Sequence, residues 1–243
     1  MNIEAHQINV GGLRVDIVRK PIKNLHLGVY PPHGRIRVAA PLAVSDEAVR
    51  LAVVTRMGWI KRQRAKFEDQ SRQSVRVYIS GESHYFLGQR YRLNLIEGAR
   101  AGQVHVRNSR SLELHVRPGS DQSIRERVFL GWYRQELRSR AAPIIEKYAA
   151  VLEIPTPAWG IKRMKTKWGT CNIEARRIWL NLELIKKPPH CLEYVIVHEL
   201  AHFFERNHSN HFIALMDRLL PQWRILRDEL NAAPLAHETW DEV

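Results

Sequence analysis

Two cysteines in 243 residues, Cys171 and Cys191, are too few for a disulfide framework and do not form a C-x-x-C pair. Their scarcity excludes a disulfide-stapled scaffold and points to a reducing compartment. No stretch approaches the roughly 18 consecutive apolar residues needed to cross a bilayer, so no membrane partner is expected. The opening run Met1-Asn2-Ile3-Glu4-Ala5-His6 lacks the charged-then-apolar order of a signal peptide, which makes the cytoplasm the expected location. No low-complexity tract and no internal repeat is legible. Acidic residues are in short supply: 25 Asp and Glu face 38 Lys and Arg, a net charge of +13. Such an excess leaves a nucleotide or nucleic-acid partner open, because a basic face concentrates polyanions, although distribution matters more than the total. The remaining composition, 44% hydrophobic and 26% charged, is that of an ordinary globular protein and excludes a fibrous or disordered chain.

What is present falls into two stretches. Residues 1 to 120 alternate apolar and polar positions and read as β-rich. Leu13, Val15 and Ile17 share one strand face, as do Ile36 and Val38, with a turn at Pro31-Pro32-His33-Gly34. One helix interrupts them over about 45–68, N-capped by Ser45 and striped by Val49, Val53, Met57 and Ile60. Further strands are predicted at Val75–Ile79, Tyr91–Ile96, Val104–Val106 and Leu112–Val116. Residues 121–243 form a second, helical region. It holds a long helix from Ser123 to Leu152, with a capping box from Ser123 and Glu126 and a kink or break at Pro143. A hairpin over Ile161–Leu184 comes next, then helices near His190–Arg206, near Ser209–Leu220, and from about Gln222.

The chemistry concentrates in Tyr194-Val195-Ile196-Val197-His198-Glu199-Leu200-Ala201-His202. Four-residue spacing on a helix puts both imidazoles on one face, where they can chelate one ion. Glu199, one residue round, can reach a water on that ion without becoming a ligand and can take its proton, the metal having lowered the water's pKa. A buried apolar run is a costly place for two unpaired histidines and a carboxylate, so a zinc site is the stronger reading over two core histidines satisfied by the backbone. A third ligand is required. His208 is preferred, because Asn207 can end the helix in a left-handed conformation and return the chain to the metal. His211 and, more remotely, Glu229 compete.

These residues carry a resemblance. Lys167-Trp168-Gly169-Thr170-Cys171, Ile178-Trp179-Leu180-Asn181, Leu184-Ile185, Pro188, the Tyr194–His202 block and Asn207-His208-Ser209-x-x-Phe212 resemble, in order, the pattern of YgjP-like metallopeptidase-domain proteins, relatives of the SprT-like and WLM-type zincins. The likeness is densest over residues 160–225. It implies one Zn2+ per chain on His198, His202 and His208, with Glu199 catalytic. Family members more often show Arg and Ser around the Trp-Gly, a mild departure here.

The expectation is therefore an α+β protein: a β-rich N-terminal region followed by a zincin-like domain with H-E-x-x-H on its central helix. Its function would be zinc-dependent hydrolysis, foremost of a peptide or protein. The alternatives are a nucleoside-triphosphate pyrophosphatase at the same site and a basic DNA-associated protein, either a SprT-like protease or a structural-zinc binder. Trp168 and Gly169 are candidates for a substrate-pairing edge. Lys165 and Lys167, alternating with Arg163 on one strand face, could hold phosphate or an acidic substrate. Trp179 is read as packing, and Cys171 as no ligand, since a fourth protein ligand would close the site.

Overall fold

The computed structural model describes residues 5–30, 34–69, 76–98, 101–164 and 167–232. It is a mixed α+β structure, and none of its described helices is long and apolar enough to cross a membrane. Contacts divide the chain into two compact units, one containing residues 1–73 and the other residues 74–236. The β-rich stretch expected up to residue 120 is thus shared between them.

In the first unit, β1 (Ala5–Val10), β2 (Leu13–Lys20), β3 (His26–Tyr30) and β4 (Arg35–Pro41) form one sheet in the order β1-β2-β4-β3. The central pair β2/β4 is parallel and the flanking pairs are antiparallel. Gly11 and Gly12, at φ 57° and 79°, make the two-residue turn between β1 and β2, where positive φ at both positions suits glycine. Val15, Ile17, Ile36 and Val38 pack with Val49, Val53 and Ile60 in one buried core. The expected single helix is two: α1 (Asp46–Thr55), whose Ser45 cap accepts from the Ala48 amide, and α2 (Met57–Asp69). The break is Arg56, at φ −103° and ψ 12°, outside the helical well.

The second unit repeats the pattern. Strands β5 (Ser83–Phe86), β6 (Gln89–Glu97), β7 (Gln103–Asn108) and β8 (Ser111–Val116) take the order β5-β6-β8-β7, again with a parallel centre and antiparallel flanks. Residues 76–79 form no strand, contrary to the sequence expectation. The Glu82 carboxylate accepts the Val77 and Tyr78 amides at 3.1 and 2.6 Å, taking donors that a ladder would need. The β5–β6 turn, Leu87-Gly88, also has positive φ at both residues, 52° and 82°. Its amides donate to Ile185 and Lys186 at 2.9 and 3.2 Å, so the turn is docked onto the chain just before the site helix.

Helix α3 (Gln122–Val151) starts one residue earlier than expected. Its cap is Asp121, whose Oδ1 accepts from the Ile124 amide at 2.9 Å and the Ser123 hydroxyl at 2.8 Å, so no Ser123–Glu126 box forms. Pro143 does not divide it. The proline and Ser139, whose carbonyl loses its partner, both lie on the exposed face, where water can take the freed bond. The helix packs on β7 and β8 at one end and on helix α4, residues Pro189–Ala201, further along. Tyr133 donates to the Tyr85 carbonyl, and Tyr148 donates to Glu193 of α4 at 2.9 Å.

A third sheet stands beside it in the order β10-β11-β9: β9 (Ala158–Lys162), β10 (Gly169–Asn172) and β11 (Arg177–Asn181). The predicted hairpin is β10–β11, turning over 173–176, while β9 joins β11 in parallel. A 3-10 segment (Leu182–Lys186) leads into α4 (Pro189–Ala201), then α5 (Asn210–Leu219), capped by Ser209, and α6 (Trp223–Ala232). Helix α4 touches α3, α5, α6, β10 and β11. Cover on several sides explains why nine of its thirteen residues are buried and why its sequence is apolar all round.

Candidate metal centre

Helix α4 ends at His202, which forms its C-cap, so the H-E-x-x-H residues occupy the last turn. His198 Nε2 lies 3.2 Å from His202 Nε2 and 3.2 Å from His208 Nε2. Four ligands at about 2.05 Å on a tetrahedral zinc stand about 3.3 Å apart, so the nitrogens are spaced as ligands of one ion. His202 Nδ1 is 3.0 Å from the Glu205 carbonyl, which requires the proton on Nδ1 and leaves Nε2 with its lone pair. Burial, and then the neighbouring His202 and His208, push His198 down to about 3, which keeps that ring neutral. Its Nδ1 is buried without a hydrogen-bond partner. The Phe212 ring packs on all three imidazoles at 4.8–5.1 Å between centroids. Three convergent nitrogens, apolar backing and no acid between them fit a zinc-class cation.

The return of the chain to His208 differs from expectation. Asn207 is not in the left-handed region, because the helix has already stopped five residues earlier. The Glu205 side chain instead accepts from the Asn207 amide at 3.3 Å, and the Ser209 amide donates to the Asn207 carbonyl at 2.8 Å. Of the rival third ligands, neither joins the cluster of three. His211 lies exposed on α5, and Glu229 binds His190 at 2.8 Å.

Glu199 is 6% exposed. Burial pushes its carboxyl up to about 8, against the opposing pull of Lys167. It lies against Gly169 of β10 so closely that a Cβ there would stand 2.5 Å from its Oε1. Glycine at this position admits the carboxylate, a reason that the sequence did not reveal. Asn181 is a residue whose role sequence reasoning missed. Fully buried, it donates to the Met164 and Lys167 carbonyls, both at 2.7 Å, and accepts from the Met164 amide at 3.3 Å. Its own amide donates to Trp168 at 2.9 Å. That side chain pins the loop ahead of Gly169.

The site opens into a cleft of about 1060 Å³. Trp168, Gly169 and Lys167 line it, together with Cys171, Trp179, Tyr194, Arg206 and Leu230. Cys171 is outside the histidine cluster, and its thiol is pushed up to about 11 by burial and by Glu199. Trp179 packs over Gly160, with Lys162 Nζ 3.6 Å from its ring centre. Of the alternating basic face, Arg163 and Lys167 lie in no strand, since β9 ends at Lys162 and β10 begins at Gly169. Arg163 pairs with Glu126 at 3.4 Å, and Lys165 lies outside the described residues.

A buried carboxylate beside three convergent imidazole nitrogens in an α+β frame is an arrangement that could hold a metal ion. The chain belongs to the family described as YgjP-like, metallopeptidase domain, which matches residues 23–233. Among curated proteins none matches it. The solved structures similar to it include two metallopeptidase zymogens. The metallopeptidase zymogen abylysin of Pyrococcus abyssi is 19% identical, with a TM-score of 0.35, over 37% of this chain and 90% of that one. The zymogen jannalysin of Methanocaldococcus jannaschii is 22% identical, with a TM-score of 0.34, over 37% and 92%. The family supports a peptide or protein substrate and gives no support to the nucleic-acid partner that the charge left open.

Proposed function

We propose that this protein is a zinc-dependent peptidase in which His198, His202 and His208 hold one Zn2+ and Glu199 is the general base. The observation that carries the reading is the 3.2 Å approach of His198 Nε2 to both other Nε2 atoms beside a buried carboxylate. When bound, zinc supplies a Lewis acid that polarises a carbonyl and lowers the pKa of water. The chain's own residues do the rest. The Glu205 carbonyl fixes the His202 tautomer, and Phe212 holds the three rings against rotation. Glu199 accepts the proton of the attacking water at a carboxylate oxygen and passes it to the leaving amine. Strand β10 is an edge of its sheet, so its free backbone can pair with an extended peptide, with Trp168 and Lys167 beside it. Two unpaired cysteines suit a cytoplasmic setting.

Metal content by elemental mass spectrometry on untagged protein tests this. About one zinc per chain is expected at the histidine site, so His208→Ala should hold about one zinc fewer than wild type and His211→Ala as much as wild type. Retention in His208→Ala, with loss in His211→Ala, would overturn the ligand set.

A further inference from the structure

A second set of ligand atoms lies at the opposite end of α4. His190 and Cys191 occupy its first turn, and Glu229 comes from the last turn of α6; one donor atom of each falls within 4.8 Å of the others. His190 Nε2 and Glu229 Oε2 are 2.8 Å apart, on side chains 43% and 44% exposed. Cys191 is 1% exposed and free. An ordinary surface ion pair between two helices needs no thiol beneath it. Although Cys191 belongs to the apolar core, its sulfur lies within 4.8 Å of both the imidazole and the carboxylate donor atoms. Nitrogen, sulfur and oxygen donors together suit a borderline-soft divalent cation; magnesium and calcium, which take oxygen ligands, do not fit. The exposed pair leaves a fourth position to water.

We propose that His190, Cys191 and Glu229 form a second site for a zinc-class divalent cation, separate from the three-histidine cluster. Binding breaks the Cys191 S–H bond, forms a sulfur–metal bond and releases the proton to solvent, with no change of oxidation state. From Cys191 to His198 is seven residues, about 10 Å along the helix axis. The cation bridges α4 to α6, whose Leu230 lines the cleft and whose Trp223 stacks on Tyr194 with ring centres 6.5 Å apart. Its role is to clamp that wall of the cleft to the site helix.

Cobalt(II) titration of the full-length, metal-free protein tests the site directly. A site of imidazoles alone gives no sulfur-to-cobalt charge-transfer band, so near-ultraviolet absorbance reports thiolate ligation and does not depend on the peptidase reading. The expected result is a saturable band that disappears in Cys191→Ala and persists in Cys171→Ala. In Glu229→Gln its midpoint should shift to at least tenfold higher cobalt. Should Cys191→Ala fail to fold, the exposed Glu229→Gln carries the test alone. No band in folded wild-type protein at saturating cobalt, a band that depends on Cys171, or an unshifted midpoint in Glu229→Gln would overturn the proposal.

Discussion

Two four-stranded sheets in this chain share one strand order and one set of strand directions, and the second belongs to the unit that carries the candidate centre. Each begins with a hairpin whose two turn residues have positive φ, and each is followed by a helix capped by a side chain, Ser45 in one and Asp121 in the other. In the first hairpin turn no atom lies within 4 Å of a Cβ placed on Gly12, while one on Gly11 would stand 3.2 Å from the flexible end of Met57. In the second, Gly88 faces Pro188, where a Cβ would meet the ring at 2.9 Å. The helices differ more. At 10 residues α1 is about 15 Å long and at 30 residues α3 is about 45 Å, enough to lie on its sheet and still reach Glu193 of α4. The shared arrangement thus does not itself carry the candidate centre, which is built from helix α4, the chain just after it and β10 of the third sheet. The longer helix and the docked turn convert the second copy into a support for α4.

Glycine substitutions break the comparison most sharply. Gly169→Ala pushes into the Glu199 carboxylate and should lower peptidase kcat/KM by about 100-fold or more with zinc retained, as steady-state kinetics and metal analysis would show. Unchanged kinetics would mean that the close approach has no part in positioning the base. Smaller effects come from the paired turns. Both glycines have positive φ, so alanine costs about 1 kcal/mol at Gly12. At Gly88 the contact with Pro188 adds overpacking, for a total of about 2–4 kcal/mol by denaturant unfolding. Equal costs would deny the docking.

A pH dependence separates the sheets further. His84 in β5 is 4% exposed, and burial pushes it down to about 4 against the pull of Glu82, 3.3 Å away, with Arg76 reinforcing the fall. Its folded pKa lies below the ordinary 6.5, so the neutral ring's contribution is complete above pH 6.5 and is lost as pH falls toward 4. No histidine is buried among the described residues of the first unit. Thermal melts between pH 7 and 4 should therefore show the second unit losing stability, and His84→Phe should reduce that loss. An identical acid response in the variant would assign it elsewhere.

Much of the centre was legible because it is local. The spacing of His198 and His202, and the apolar run around them, are written within one helix, and His208 comes six residues later. Ser45 was readable as a cap for the same reason. What the sequence hid is long-range. Nothing near Gly169 announces Glu199, thirty residues away, and Asn181 gains its meaning only through its hydrogen bonds to Met164 and Lys167. The strand assigned to residues 76–79 failed because a single side chain, Glu82, outcompeted a ladder. The repeated strand order was invisible because topology depends on which strands pair, and apolar alternation records only which face is buried.

The central claim is that Glu199 is the base beside a metal that it does not bind. Metal content and peptide hydrolysis measured on Glu199→Gln test it most directly. The account predicts about one zinc at the histidine site, as in wild type, with kcat reduced by at least 100-fold. Wild-type hydrolysis by the zinc-loaded variant would contradict it.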